Sequence, residues 1–203
     1  MEIGTESTAK SICIAHYHLI VNKEIMAKLR SELSTARSTS LADLDRLPYL
    51  HAITLEANRL SFGLTGRNPR VSPEQALQYI DLSNKTTYVI PPGTPISTST
   101  LLAHTNEDVF PHPWTFNPDR WLGTEGQARK KYMLAFSKGP RQCIGIHLAD
   151  LELVSAIAEM AKWDMDLFET SEEDVKFLHD YHVATPRLDS LGVRARVLRR
   201  VEH

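Results

Sequence analysis

Apolar residues Ile12, Ile14, Ala15, Leu19 and Ile20 recur at near-helical spacing between Ala9 and Val21, which predicts a helix there. Asn22 is an N-cap candidate for a second helix over Lys23 to Ala36, where Ile25, Met26, Leu29 and Leu33 form the apolar stripe. Arg37 to Asp45 is polar and serine-rich, a linker or short turn. Leu47 to Leu60 predicts a third helix with Pro48 in its first turn, ended by Gly63, Gly66 and Pro69. Gln78 to Asp81 and Thr86 to Thr98 read as short strands around turns. Glu107 to Gly123 carries three prolines, two tryptophans and no periodicity, and is expected to be a long ordered loop. An amphipathic helix is predicted from Ile144 to Lys162, with Leu148, Leu151, Val154, Ile157 and Ala158 on one face. Alternation over Phe177 to Val183 and Gly192 to Leu198 suggests a terminal hairpin. The fold class is therefore mainly α with small β-sheets, α+β, with no internal repeat, low-complexity tract or domain boundary.

Composition narrows this without redirecting it. At 203 residues, 42% hydrophobic and 24% charged, the chain has the make-up of one globular domain. A net charge of -2 without a basic stripe argues against a nucleic-acid partner. Cys13 and Cys143 make no disulfide framework and read as reduced thiols. No run of about 20 apolar residues is present to span a membrane. Met1-Glu2-Ile3-Gly4 leads straight into a polar stretch, so no signal peptide or anchor is expected and the chain reads as cytoplasmic on its own residues.

The strongest chemical signal is Phe136-Ser-Lys-Gly139-Pro-Arg141-Gln-Cys143-Ile-Gly145. A cysteine that ligates a metal must be a thiolate, and free N–H groups at a helix N-terminus favour that anion. Cys143 precedes the predicted 144–162 helix. Gly139 and Gly145 permit a tight hairpin and close approach of a flat ligand. Arg141 can reach a carboxylate, and Phe136 offers a ring to shield the sulfur. A buried, inert cysteine is the plain alternative. Zinc is disfavoured because His147 is the only further ligand at a suitable spacing. Five fixed residues at about one in twenty each recur by chance in roughly one such chain in ten thousand.

The segment resembles the haem-binding loop of cytochrome P450 enzymes, Phe-x-x-Gly-x-Arg-x-Cys-x-Gly, in wording most similar to fungal members of secondary metabolism. The resemblance implies haem b with Cys143 as the iron ligand, and Phe136, Gly139, Arg141 and Gly145 around it. Glu56-Ala-Asn-Arg59 puts two opposite charges on one helix face. Alone this is a surface pair, but the resemblance makes it a buried structural triad with Arg120 of Phe116-Asn-Pro118-Asp-Arg120-Trp121. Arg70, after Arg67-Asn-Pro69, takes the place of a propionate-binding arginine, against the alternative of a solvent-facing base. Pro91-Pro92-Gly93-Thr94 matches a structural turn of the family. Ile3-Gly4-Thr5-Glu6-Ser7-Thr8-Ala9 is similar to the oxygen-activation motif, with Glu6 relaying protons and Ser7 replacing the usual threonine; a helix N-cap is its rival.

The implied layout is one partial P450 domain over 1–203: the end of the central oxygen-binding helix (1–21), the Glu-x-x-Arg helix (47–60), the meander (107–135), the haem-binding loop (136–145), the following helix (146–162) and terminal strands (163–203). Leu82 to Thr87 reads as extra polar residues in a hairpin, or an imperfect gene model. The chain then begins inside the central helix. The resemblance implies a monooxygenase taking electrons from an NADPH-dependent flavoprotein reductase, with Arg129, Lys130, Lys131, Lys138 and Arg141 as a docking patch, a small hydrophobic organic substrate, and the endoplasmic-reticulum membrane as the usual location. Two rivals stand beside it. One is an inactive remnant that keeps the haem signature; the other is a haem-thiolate enzyme of rearrangement or dehydration that needs no reductase.

Overall fold

The computed structural model describes residues 2–38 and 40–201; Met1, Thr39, Glu202 and His203, which fall inside the predicted 1–21, 37–45 and 163–203 segments, lie outside the described residues. Helix α1 runs Glu2–Val21, longer than its apolar pattern indicates, and α2 runs Lys23–Leu33. Asn22 caps α2 as expected, its side chain accepting from the Glu24 and Ile25 N–H groups. The 37–45 segment contains one short helix, α3 (Leu41–Leu44), capped by Ser40.

Helix α4 spans Pro48–Ser61 and is enclosed almost all round, with every residue from Glu56 to Ser61 buried. A helix apolar on most faces belongs inside a structure, and here α1 and α7 (Ile146–Met160) both pack against it. Ile14, Ala15 and Leu19 of α1 meet Leu50, Ile53 and Ala57 of α4 and Leu153 and Ile157 of α7 in the main core. Pro48 suits the first turn of α4, but Leu47 gives no side-chain cap. The Glu32 carboxylate of α2 does so instead, accepting from Tyr49 N–H at 2.7 Å and Leu50 N–H at 2.8 Å. The helix ends in left-handed backbone at Phe62 (φ 61) and Gly63 (φ 58), so the terminating turn begins one residue before the first glycine.

The sheets are four two-stranded antiparallel ladders among the described residues. β1 (Arg70–Val71) pairs with β4 (Pro95–Ile96), and β2 (Leu77–Asp81) with β3 (Thr86–Ile90). The polar insertion is thus a turn over 82–85, while Thr86 and Thr87 belong to the strand. Asp81 and Asn84 side chains bind the turn backbone, and Lys85 takes φ 58.

Three expectations are corrected. The 107–123 stretch is not loop throughout: Asn117 caps a 3₁₀ turn at Pro118–Trp121, and α6 (Gly123–Arg129) follows after a separate short helix, α5 (Thr100–His104). The two alternating C-terminal stretches do not pair with each other. β5 (Trp163–Leu167) pairs with β8 (Ala195–Arg200), and β6 (His179–Asp180) with β7 (Ala184–Thr185). Lastly, α7 starts at Ile146 rather than Ile144, so a turn at Ile144 and Gly145 separates it from Cys143. Among the described residues no helix is long and apolar enough to cross a membrane.

Candidate functional site

The enclosed α4 carries a carboxylate and a guanidinium that are both fully buried, which demands complete pairing. Arg59 meets Glu56 through a two-pronged bond, Nε to Oε2 at 2.9 Å and Nη2 to Oε1 at 2.8 Å. Arg120 Nε reaches the same Oε1 at 3.1 Å. Glu56 also accepts from Trp121 Nε1–H at 2.8 Å and Asn117 N–H at 2.9 Å. The remaining arginine N–H groups bind carbonyls: Arg59 those of His104, Pro113 and Thr115, and Arg120 those of Pro111, His112 and Thr115. The irregular 111–121 backbone is therefore shaped by two guanidinium forks. Sequence spacing does not indicate Trp121 as a partner, although a buried indole N–H needs an acceptor. Arg129 leaves the expected docking patch: it is half-buried and donates to the carbonyls of Val109 and Arg120.

This lattice adjoins the start of the cysteine loop. His104, fully buried, bridges the Arg59 carbonyl and the Leu134 N–H. From Leu134 the chain turns through Ser137 (φ 59) and Gly139 (φ 76), and Cys143 N–H closes the loop on the Phe136 carbonyl at 2.9 Å. Gly139 meets the expected need for left-handed backbone, whereas Gly145 sits at φ -86, where any residue fits. On the other side the loop touches Gly63, where an added Cβ would lie 2.4 Å from the Ala135 carbonyl oxygen at φ 58. Gly63→Ala is expected to destabilise the chain by more than the roughly 1–3 kcal/mol of left-handed strain alone. Gly93→Ala (φ 79, nothing within 4 Å of its Cβ) carries only that strain. Urea unfolding of the two variants checks this, and equal losses would remove the close-approach argument.

Loop, α1, α4 and α7, with β1 and β4, line an open-sided cavity of about 1260 Å³. Pockets for drug-sized ligands measure roughly 300–1,000 Å³, so there is space for a large flat group. Cys143, Phe136, Arg141 and Gly145 line it from the loop, Arg70 from β1 and Ser7 from α1. Cys143 and Arg141 are exposed, and Phe136 is half-buried. Arg70 also reaches into the loop, donating to Ser137 Oγ at 3.1 Å. Gly4 and Thr8 join Ser7 on the cavity wall, and the Ser7 hydroxyl lies 3.4 Å from the Gly4 carbonyl, within the helix. Glu6 is not brought to this wall; it is exposed on α1. Deeper in, the Ser11 hydroxyl meets Ser61 Oγ at 2.8 Å and ties α1 to α4.

Three imidazoles near these elements are held neutral. Burial lowers His16, His18 and His104 to about 4. An unfolded imidazole titrates near 6.5, so between about 6.5 and 4 the unfolded chain binds more protons and stability rises with pH. The stabilisation is complete above that window and is lost as pH falls through it, by up to about 1.4 kcal/mol per pH unit for each histidine. Burial of Asp150, which raises its carboxyl, acts in the opposite sense. Denaturant unfolding at pH 7, 6 and 5 is expected to show a progressive loss, and a flat profile would contradict the enclosure of these rings.

Fold and cavity together define a class: a mixed α and β chain in which a cysteine loop faces the middle of a helix bundle across a ligand-sized cavity. The cytochrome P450 family model matches residues 3–173. A cytochrome P450 monooxygenase of Penicillium brasilianum, pbrB, is 41% identical over 202 residues, covering 96% of this chain and 38% of its own length. Another, TRI4 of Trichoderma arundinaceum, is 36% identical over 212 residues, covering 98% and 40%. The crystal structure of a cytochrome P450, CYP102L1, superimposes with a TM-score of 0.71 at 21% identity, over 96% of this chain and 43% of that one. The chain belongs to the cytochrome P450 family, a family of haem-containing oxidoreductases. It spans about two fifths of the length of the curated relatives it matches.

Proposed function

We propose that this chain forms the haem-holding part of a monooxygenase that oxidises a small hydrophobic organic substrate, a secondary metabolite. The observation that carries the reading is the sharing of one cavity by Cys143, Arg70, Arg141 and Ser7. With Phe136 in the same lining they fit haem b in chemistry: a thiol for the iron, two arginines for carboxylates, and an aromatic ring in the loop of the thiol. Cysteine is usually among the most buried residues, and an exposed one facing a cavity suits a ligand role better than a packing role.

When bound, haem supplies the iron at which dioxygen is reduced and one oxygen atom passes to the substrate. Cys143, as thiolate, anchors it, and the Phe136 ring limits water at the sulfur. Gly139 lets the loop turn tightly, and Gly145, lacking a side chain, leaves the cavity wall open beside Cys143. Arg141 and Arg70 pair with the two carboxylates. Ser7 places its hydroxyl on the cavity wall, where rotation away from the Gly4 carbonyl lets it donate to a ligand, and Glu6, exposed one residue earlier, resupplies the proton from solvent. Electrons come from an NADPH-dependent flavoprotein reductase. Lys130, Lys131 and Lys138, all exposed, are basic groups available to an acidic partner.

Titration of the purified chain with haem tests this. Saturable one-to-one uptake, weakened by a double change of Arg70 and Arg141 to alanine, is the expected result. No saturable uptake would favour a remnant that retains the signature alone.

A further inference from the structure

We infer that His104 is a positioning residue, coupling the buried ion-pair lattice on α4 to the backbone that carries Cys143. The His104 ring ties the start of the loop to the lattice. His104 Nε2 lies 2.9 Å from the Leu134 nitrogen, and because that N–H is a donor, Nε2 accepts. The ring proton is therefore on Nδ1, which donates to the Arg59 carbonyl at 2.9 Å. Arg59 returns a bond, Nη1–H to the His104 carbonyl at 2.9 Å. The two residues thus hold each other, and the tautomer is fixed from both sides.

The ring has little freedom to swing away. Phe62 stacks on it at 6.0 Å, and Phe110 meets it edge-on at 6.3 Å. Phe110 also lies 5.3 Å from the Arg59 guanidinium, so one aromatic cluster supports both partners. Past Leu134 the bonds continue in sequence: Ser137 N–H to the Leu134 carbonyl at 2.8 Å, then Cys143 N–H to the Phe136 carbonyl. An unbroken series therefore runs from Glu56 through Arg59, His104 and Leu134 to Cys143. A neutral imidazole accepts at one nitrogen and donates from the other, which matches these two backbone partners.

The two imidazole functions can be separated by substitution. His104→Asn retains a donor for the Arg59 carbonyl and loses the acceptor for Leu134. His104→Gln retains an acceptor near the Nε2 position. His104→Phe keeps the ring packing and removes both. Backbone amide hydrogen exchange on the chain without haem reads the coupling directly. The expected result is at least tenfold faster exchange at Leu134 and Cys143 in His104→Asn and His104→Phe, relative to any change across α2, with most protection recovered in His104→Gln. Uniform loosening of loop and α2, unchanged loop exchange, or equal behaviour of Gln and Asn variants would overturn the proposal. If His104→Phe fails to fold, the Gln and Asn pair decides.

The consequence for haem rests on the proposed function. In haem-loaded chain, the fraction showing the red-shifted reduced carbon-monoxide band of thiolate ligation should fall in His104→Asn and hold in His104→Gln. Equal fractions would deny that the coupling governs the sulfur. Failure of every form to take up haem would refute the functional reading instead and leave the exchange comparison standing.

Discussion

Replacing Arg59 by alanine is expected to cost about 3–5 kcal/mol of stability, because a fully buried carboxylate loses its two-pronged partner. Glu56 would retain Arg120, Trp121 and the Asn117 N–H, which softens the loss without removing it. The carbonyls of His104, Pro113 and Thr115 lose a donor in the same step, so the 104–121 backbone loosens together with the helix. Haem retention is expected to disappear as well, since the lattice adjoins the cysteine loop. Arg59→Lys should recover little, as an ammonium cannot reproduce the fork. Arg120→Ala should cost less, because Arg120 makes one bond to Glu56 and lies nearer the surface. Urea unfolding measures all three. A loss below about 1 kcal/mol for Arg59→Ala would put the pair on a level with a solvated surface pair and contradict its burial.

Cys143→Ser is expected to separate stability from chemistry. The Cys143 backbone N–H donates to the Phe136 carbonyl, among the described residues no hydrogen bond is made by its thiol, and the side chain is exposed. The unfolding midpoint should therefore shift by no more than the roughly 0.5 kcal/mol of an ordinary surface change. Haem uptake, in contrast, should weaken severely, and any haem retained should lack thiolate character. A serine variant that bound haem as tightly as the parent, with an unchanged spectrum, would remove Cys143 from the site.

Much of this was legible in the chain because the signals are local. Helix α4 shows its register through Leu50, Ile53 and Ala57, and Asn22 sits where a cap belongs. The cysteine loop is a contiguous motif, and left-handed Gly139 follows from it. What was not legible depends on distant partners. Helices α5 and α6 are too short for a periodic pattern, and the 3₁₀ turn at Pro118–Trp121 is held by Glu56, about sixty residues earlier. Glu32 caps a helix on another element, and Arg129 looked like a surface base although backbone carbonyls enclose it. The strand pairing β5 with β8 spans irregular chain that no alternation predicts. His104 carries no motif at all, and only its two backbone partners reveal what it does.

The central claim is that Cys143 presents its sulfur to a haem across the cavity from Ser7. The most direct test is the reduced carbon-monoxide difference spectrum of the chain reconstituted with haem, recorded beside Cys143→Ser. The parent should show the red-shifted band of thiolate-ligated haem, and the variant should lack it. The same band in both, or none in a parent that has taken up haem, would contradict it.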